Sequence, residues 1–460
     1  MTSTGKTTLP PYFGINPSDA AARLSEPIDT ARFAKAAAFG AKGREDLAKR
    51  GYSPDGKKRL RRFPTWEICR YLIPVAPAHF RRVLKANPEL PQGEGSGGTK
   101  WFTIEEIMQL RDFFDAEGAA NKEYKSWRPD GVPAKIVAVA NFKGGVGKTS
   151  TCAHLAMSAA LDGYKVLVVD LDSQGSMTSI MGGQVEDEWQ TAFPLLAKDF
   201  GRHMEAEMRM QGEDPEASGL FDETIKEAMT VSPRNLIQET HWPNIDLIGA
   251  QLNLYWAEFQ IPVWRLQSRS WPLWDALANA FETDGVLDEY DIILLDTPPA
   301  LGYLTINALA AADILVVPMG ASFLEFDSTG RFFDMLYSTF SSIESGENAV
   351  RRRDGLPEIK FEWDAVRTLI TRYDASQQAD LANVIQAYFG DFMTAHRQEL
   401  TAMVGQAAEQ VNGIYEADHR QFNRDTYVRG RETFDHTWAE VKSVILGSWW
   451  RDMQTGQEVR

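Results

Sequence analysis

The sequence predicts an α/β protein: a mostly parallel sheet with helices on both faces, preceded by a helical arm and a winged helix-turn-helix. Three observations carry this expectation. Short, nearly continuous apolar runs at 165–169 and 291–295 alternate with helical stretches, the pattern of strands covered on both faces. A glycine-rich loop at 141–150 lies between one such run and a helix. Positions 1–130 hold 22 Lys and Arg against 16 Asp and Glu, a balance of +6, whereas positions 131–460 balance at −22.

Taken in order, residues 1–18 are punctuated by Gly5, Pro10, Pro11, Gly14 and Pro17 and read as a mobile arm. Residues 19–50 are Ala-rich and predict one or two helices broken near Gly40 and Gly43, a possible dimerisation element. Residues 51–120 read as the winged helix-turn-helix. Thr65 is placed to cap a helix over 66–72, a turn follows at Ile73-Pro74-Val75, and a second helix begins at Ala76-Pro77. That helix carries Arg81, Arg82 and Lys85. A Gly-rich hairpin leads to Lys100, and Thr103 with Glu106 has capping-box spacing for a third helix over 104–117. Helix, tight turn, basic helix, hairpin and helix is the order of a DNA-reading module, with these four cations facing DNA. A solvated basic surface on a small helical domain would show the same charge count.

Residues 121–134, with Arg128-Pro129-Asp130-Gly131, predict a linker, and 135–460 the large α/β domain. Strands are expected at 135–140, 165–169, 245–248, 291–295, 314–317 and 365–370. Residues 182–240 read as a charged, helical insertion without strands. Two cysteines, Cys69 and Cys152, exclude a disulfide scaffold and a four-cysteine metal site. The seven histidines show no metal spacing. Positions 1–30 lack an apolar signal core, and no apolar run approaches the length of a membrane span, so a soluble cytoplasmic protein is expected. Trp242, Trp256, Trp264, Trp271 and Trp274 are expected in the core or at a dimer contact. The helical spacing of Trp438, Val441, Ile445 and Trp449 is expected to pack onto the α/β domain rather than onto a membrane.

The most informative stretch is Asn141-Phe142-Lys143-Gly144-Gly145-Val146-Gly147-Lys148-Thr149-Ser150. Glycines let backbone N–H groups close around an anion, and the following helix adds free N–H groups and a positive dipole end. Lys148 is placed for the β- and γ-phosphates and the Thr149 hydroxyl for Mg²⁺. Phe142 stands where the common phosphate-loop pattern has glycine. Strand-end carboxylates follow in Asp170-Leu171-Asp172 and in Asp296-Thr297-Pro298-Pro299, on the sheet edge where parallel strands bind ligands.

Together the KGGVGKTS loop, the VDLDSQGS segment and the LLDTPPALGYLTINALAAAD segment resemble the ParA/MinD group of deviant Walker-A ATPases. Within it the chain is most similar to plasmid partition ParA proteins with an N-terminal winged helix-turn-helix, RepA of RepABC systems above all. The resemblance implies a P-loop NTPase fold, ATP and Mg²⁺ as cofactors, and ATP hydrolysis in plasmid segregation. It implies an ATP-bound homodimer in which Lys143 reaches the partner's phosphates, with Lys148 as the phosphate lysine. Gly144, Gly145, Val146, Gly147 and Ser150 form the rest of the cradle. Asp172 matches the carboxylate that positions the attacking water, and Thr149, Asp170 and Asp296 surround the metal. Thr371 and Arg372 lie where the family places adenine contacts. Ser173 departs from a frequent proline. The resemblance further implies a ParB-type centromere-binding partner, operator-specific and nonspecific DNA binding with operon autorepression, a nucleoid-associated cytoplasmic location and no membrane. Arg424, Arg429 and Arg431 are expected on a nonspecific DNA surface; Arg351–Arg353 fit such a surface or a solvated cluster equally. An ATP-switched repressor without turnover and a MinD-like positioning ATPase are the rival functions.

Overall fold

The computed structural model describes residues 30–49, 58–95, 100–116, 124, 128–215 and 221–455. The arm at 1–18, the tip of the hairpin at 96–99, the end of the module at 117–120 and part of the linker, at 121–123 and 125–127, lie outside the described residues. The chain divides into two units, 1–55 and 56–460. In the first, Thr30–Lys49 is a single helix that runs through Gly40 and Gly43 without the expected break. The alanines around them, with the best helix propensity, offset about 1 kcal/mol for each glycine.

The second unit begins with a small helical module. Strand β1, Phe63–Pro64, pairs antiparallel with β2, Trp101–Phe102. The first helical turn, Thr65–Glu67, continues as a wider π-helix, Ile68–Leu72. The residue before it is Pro64, not Thr65; the Thr65 hydroxyl instead donates to the Lys100 carbonyl. The basic helix spans Pro77–Ala86 and the third Ile104–Ala116. The capping box is formed: the Thr103 N–H donates to Glu106 and the Glu106 N–H to the Thr103 hydroxyl. Phe80 stacks on Phe114 and meets Phe102 edge-on, which closes the module's core.

The large sheet has seven strands: β3 Lys135–Val139, β4 Val166–Asp170, β5 Gln238–Glu239, β6 Ile245–Ile248, β7 Ile292–Asp296, β8 Ile314–Gly320 and β9 Ala365–Thr371. Their order is β5-β6-β4-β7-β3-β8-β9, and every pair is parallel except β5 with β6. The central strands are buried throughout, as their unbroken apolar runs require. The charged segment after residue 182 supplies the helices Phe193–Gln211 and Glu223–Thr230, but it also supplies β5, so the expectation of an insertion without strands is corrected. Two hydrogen-bonding residues suffice for an edge strand and leave no alternating pattern to read.

Helix Arg424–Thr455 closes the structure. Its residues Trp438, Val441, Ile445 and Trp449 are all buried, and the two indoles donate to Asp162 and to the Pro133 carbonyl. The apolar stripe is therefore spent on the α/β domain, and no helix among the described residues is long and apolar enough to cross a membrane. The same helix grips the N-terminal module. Glu67, fully buried, accepts from Arg61 at 2.6 and 2.9 Å, from the Tyr427 hydroxyl at 2.7 Å, and from Arg431. Arg111 of the module donates to the Leu72 and Leu161 carbonyls, at the ends of two helices. Four of the five central tryptophans are buried as expected; Trp256 is exposed.

Candidate nucleotide site

Strand β3 ends at Val139 and the chain turns through the glycine loop into helix Lys148–Leu161. Gly145 and Gly147 have φ of 76° and 86°, in the left-handed region that only glycine enters freely. Asn141 anchors the loop from below: its amide donates to the Pro318 carbonyl and its oxygen accepts from the Lys143 N–H. From above, the Thr371 hydroxyl donates to the Val146 carbonyl at 2.8 Å and Arg372 to the Gly145 carbonyl at 3.0 Å. Thr371 and Arg372 thus hold the loop's backbone. They also line a cavity of about 180 Å³ beside it, with Gly320, Ser322, Glu325 and Gln378.

Parallel register brings the acidic strand ends together. Asp170 of β4 lies directly opposite Asp296 of β7, and Asp296 opposite Val139 at the root of the loop. Burial pushes both groups above the usual carboxylate range; repulsion from Asp172 adds to it at Asp170, and repulsion from Asp170 and Asp172 at Asp296. They differ in their partners. Asp170 accepts from the Thr178 hydroxyl at 2.8 Å, the Thr178 N–H at 2.9 Å and the Asp172 N–H at 3.1 Å. Asp296 has both oxygens buried without a well-formed hydrogen bond, facing the Thr149 hydroxyl and the Lys148 ammonium. An orphaned carboxylate beside a hydroxyl is an oxygen donor set that suits Mg²⁺. Burial pushes the Lys148 ammonium down, opposed by Asp296 and Asp172.

Lys143 sits at the loop's mouth, paired with Glu325 at 2.9 Å on the helix after β8. Asp172 is partly exposed at the start of the loop that leads to helix Ser176–Met181, and it accepts from the Gln174 N–H. The sequence reading missed Thr178, Asn141 and Glu325. Thr178 and Glu325 reach the site through tertiary contacts outside any local motif; Asn141 opens the loop stretch, but its bond to the Pro318 carbonyl is tertiary.

The DNA candidates fare unequally. Arg81, Arg82, Lys85 and Lys100 are exposed on the module, and Arg424 and Arg429 on the last helix. Arg429 pairs with Glu399. Arg431 is only 2% exposed and is enclosed by Glu67 and Asp435, so it is removed from any DNA-facing surface. Arg351 and Arg353 bond to the Pro357 carbonyl and Asp354, as cations at a helix C-terminus favour. A larger cavity of about 790 Å³ opens at the opposite sheet edge, but the loop, the free N–H groups and the orphaned carboxylate are all at this one.

Residues 134–345 match a family described as an AAA domain. A protein of Sinorhizobium fredii that carries the inferred name replication protein A is 30% identical, over 88% of this chain and 91% of its own length. Protein SopA of Escherichia coli is 27% identical over 79% of this chain and 83% of its own. A solved structure called a partition protein overlays 89% of this chain and 98% of its own with a TM-score of 0.55, at 15% identity.

Proposed function

The chain belongs to the ParA/MinD group of partition-type P-loop ATPases, and on that premise we propose that it binds ATP with Mg²⁺, dimerises and hydrolyses ATP to time plasmid segregation. The observation that carries this is the buried, unpartnered Asp296 carboxylate at the foot of the phosphate loop. The backbone from Gly144 to Ser150 cradles the phosphates, and Lys148 neutralises their charge. Mg²⁺, when bound, would neutralise the β- and γ-oxygens, held by Thr149 and by Asp296 directly or through water. Asp172 orients the attacking water. Asp170 acts chiefly through Thr178, holding the loop on which Asp172 stands. Thr371, Arg372 and the cavity above the loop receive the base.

Lys143 is the trans-acting lysine in this reading, which gives it a definite requirement. It must leave Glu325 to reach the phosphates of a second subunit, so ATP binding and dimerisation are coupled through that exchange. A ParB-type partner stimulates turnover, the module reads the operator through Arg81, Arg82, Lys85 and Lys100, and the dimer binds DNA nonspecifically. The test is nucleotide binding and phosphate release by three variants. Lys148→Ala should lose nucleotide, Asp172→Ala should bind but not turn over, and Lys143→Ala should bind as a monomer. Full-strength binding by Lys148→Ala would refute the site. Absence of phosphate release by the native chain, with DNA and partner present, would favour an ATP-switched repressor.

A further inference from the structure

The cavity of about 790 Å³ lies beside the amino ends of β3 and β8, on the sheet edge away from the phosphate loop. Its walls are the chain entering β3, the helix Ala276–Thr283, the turn at Leu287 and Asp288, and the stretch 358–363 that precedes β9. The volume is within the range of pockets that enclose a small organic molecule. Parallel sheets take their nucleotides at the carboxyl ends of strands, so a cavity at the amino ends is a separate site.

Its lining joins aromatic rings to acid. Trp274, Phe361 and Trp363 all contribute. Phe340 holds Phe361 and Trp363 in place, at 4.7 and 5.2 Å between ring centroids. Trp274 is 5% exposed, and its indole N–H has no acceptor among the described residues. A buried donor left in this state favours a ligand that brings an oxygen. Six carboxylates and two ammonium groups also line the cavity, a balance of −4. Both ammonium groups are already neutralised: Lys135 by Asp313 and Asp452, and Lys360 by Glu362. Glu282 and Asp288 stand exposed at the rim. Fixed aromatic walls under an acidic rim favour a cation, through the ring faces and through the field of the carboxylates.

We propose that this cavity binds a small organic cation, an amine or guanidine on a short chain from a hydroxylated aromatic ring. The ring lies among Trp274, Phe361 and Trp363, its oxygen accepts from the Trp274 indole, and the cation faces Glu282 and Asp288. Occupancy would bear on the root of the linker. Arg128 donates to the Leu287 and Asp288 carbonyls at 3.1 and 2.8 Å, and the Ala134 N–H donates to the Leu287 carbonyl at 2.9 Å. The site needs no nucleotide and stands apart from the ATPase reading.

The test titrates the full chain with tyramine, with 3-(4-hydroxyphenyl)propionate as the same ring bearing the opposite charge, and with butylamine as a cation without a ring. Calorimetry or ligand-observed NMR should show tyramine bound at least tenfold more tightly than either, and equally by Lys148→Ala. Amide exchange at 131–136 and 359–363 should slow with tyramine. Ala278→Trp, which fills the cavity, should weaken tyramine at least tenfold. The double variant Glu282→Gln, Asp288→Asn should weaken it about tenfold at low salt, and Glu227→Gln, an exposed acid elsewhere, should leave it unchanged. If Ala278→Trp fails to fold by its urea transition, the double variant decides. No saturation by tyramine below about 10 mM, a weak limit for a ligand of this size, overturns the proposal. Equal binding of tyramine and the propionate, or unchanged affinity in the double variant, overturns it as well.

Discussion

Replacing Glu67 with Gln should uncouple the N-terminal module from the last helix. The carboxylate is fully buried, and both Arg61 and Arg431 donate to it along with the Tyr427 hydroxyl. Burial opposes its ionisation, but the two guanidiniums outweigh that and hold the carboxyl below its usual range. At an effective dielectric near 20, each pair at about 3 Å separation attracts by roughly 5 kcal/mol before dehydration is counted. Most of that gain is offset by taking three charges out of water. Glutamine keeps the shape and the dehydration but removes the compensating charge, leaving Asp435 as the only acid bonded to Arg431 among the described residues. The expected loss is about 3–5 kcal/mol, the cost of breaking a buried pair from one side. A chain of this size need not unfold in two states, so the loss should be read locally. Amide exchange in 63–116 and at the start of helix Arg424–Thr455 should accelerate by roughly two to four orders of magnitude, while β3 and β7 stay protected. Replacing the set with apolar residues, Glu67→Leu with Arg61→Met and Arg431→Met, should recover most of the protection. A loss under about 1 kcal/mol in Glu67→Gln would show that water or rearrangement already compensates the arginines, and the ion cluster would not be what joins module to body.

His154, stacked on Phe434, donates through Nδ1 to the Ser150 carbonyl and accepts at Nε2 from the Ile414 N–H, and burial pushes its pKa down to about 4. Between pH 6.5 and 4 the unfolded chain takes a proton that the folded chain refuses, so the unfolding free energy from urea denaturation should be about 2 kcal/mol lower at pH 5 than at pH 7 from this group. His154→Gln should remove that difference, and an unchanged difference would reassign it. Gly175 has φ of 63°, and an added Cβ would stand 2.8 Å from the Ala250 carbonyl oxygen; Gly175→Ala should cost about 2 kcal/mol or more by urea denaturation and displace Asp172, and a neutral result would mean the loop adapts freely. If the module binds DNA through its four exposed cations, log K against log salt should have a slope of roughly −4 per module, and Arg431→Met should destabilise the chain without changing that slope.

What could be read from the sequence was whatever is local in the chain. The phosphate loop was legible because glycines at fixed spacing between a strand and a helix have few other uses, and the acidic strand ends because apolar runs stop there. The capping box at Thr103 and Glu106 spans three residues and forms as expected. Arg431 was misread for the opposite reason. In the sequence it stands among Arg424 and Arg429 on a polar helix, and nothing nearby marks it as buried. Its fate is set by Glu67, 364 positions away, in a turn whose own acid reads as a solvated helix residue. Thr178 follows the same logic: its hydroxyl accepts from the Ala250 N–H and donates to Asp170, a role that exists only once β4 and β6 are in register. The same distinction separates the two members of the carboxylate pair. Both are expected at the metal from their strand ends and from the family resemblance. Three hydrogen bonds commit Asp170 to the loop and leave Asp296 with free lone pairs, so metal affinity should fall much further on replacing Asp296 with Asn than on replacing Asp170. That difference in partners lies in the packing of β4, β6 and β7, where no motif spacing could record it.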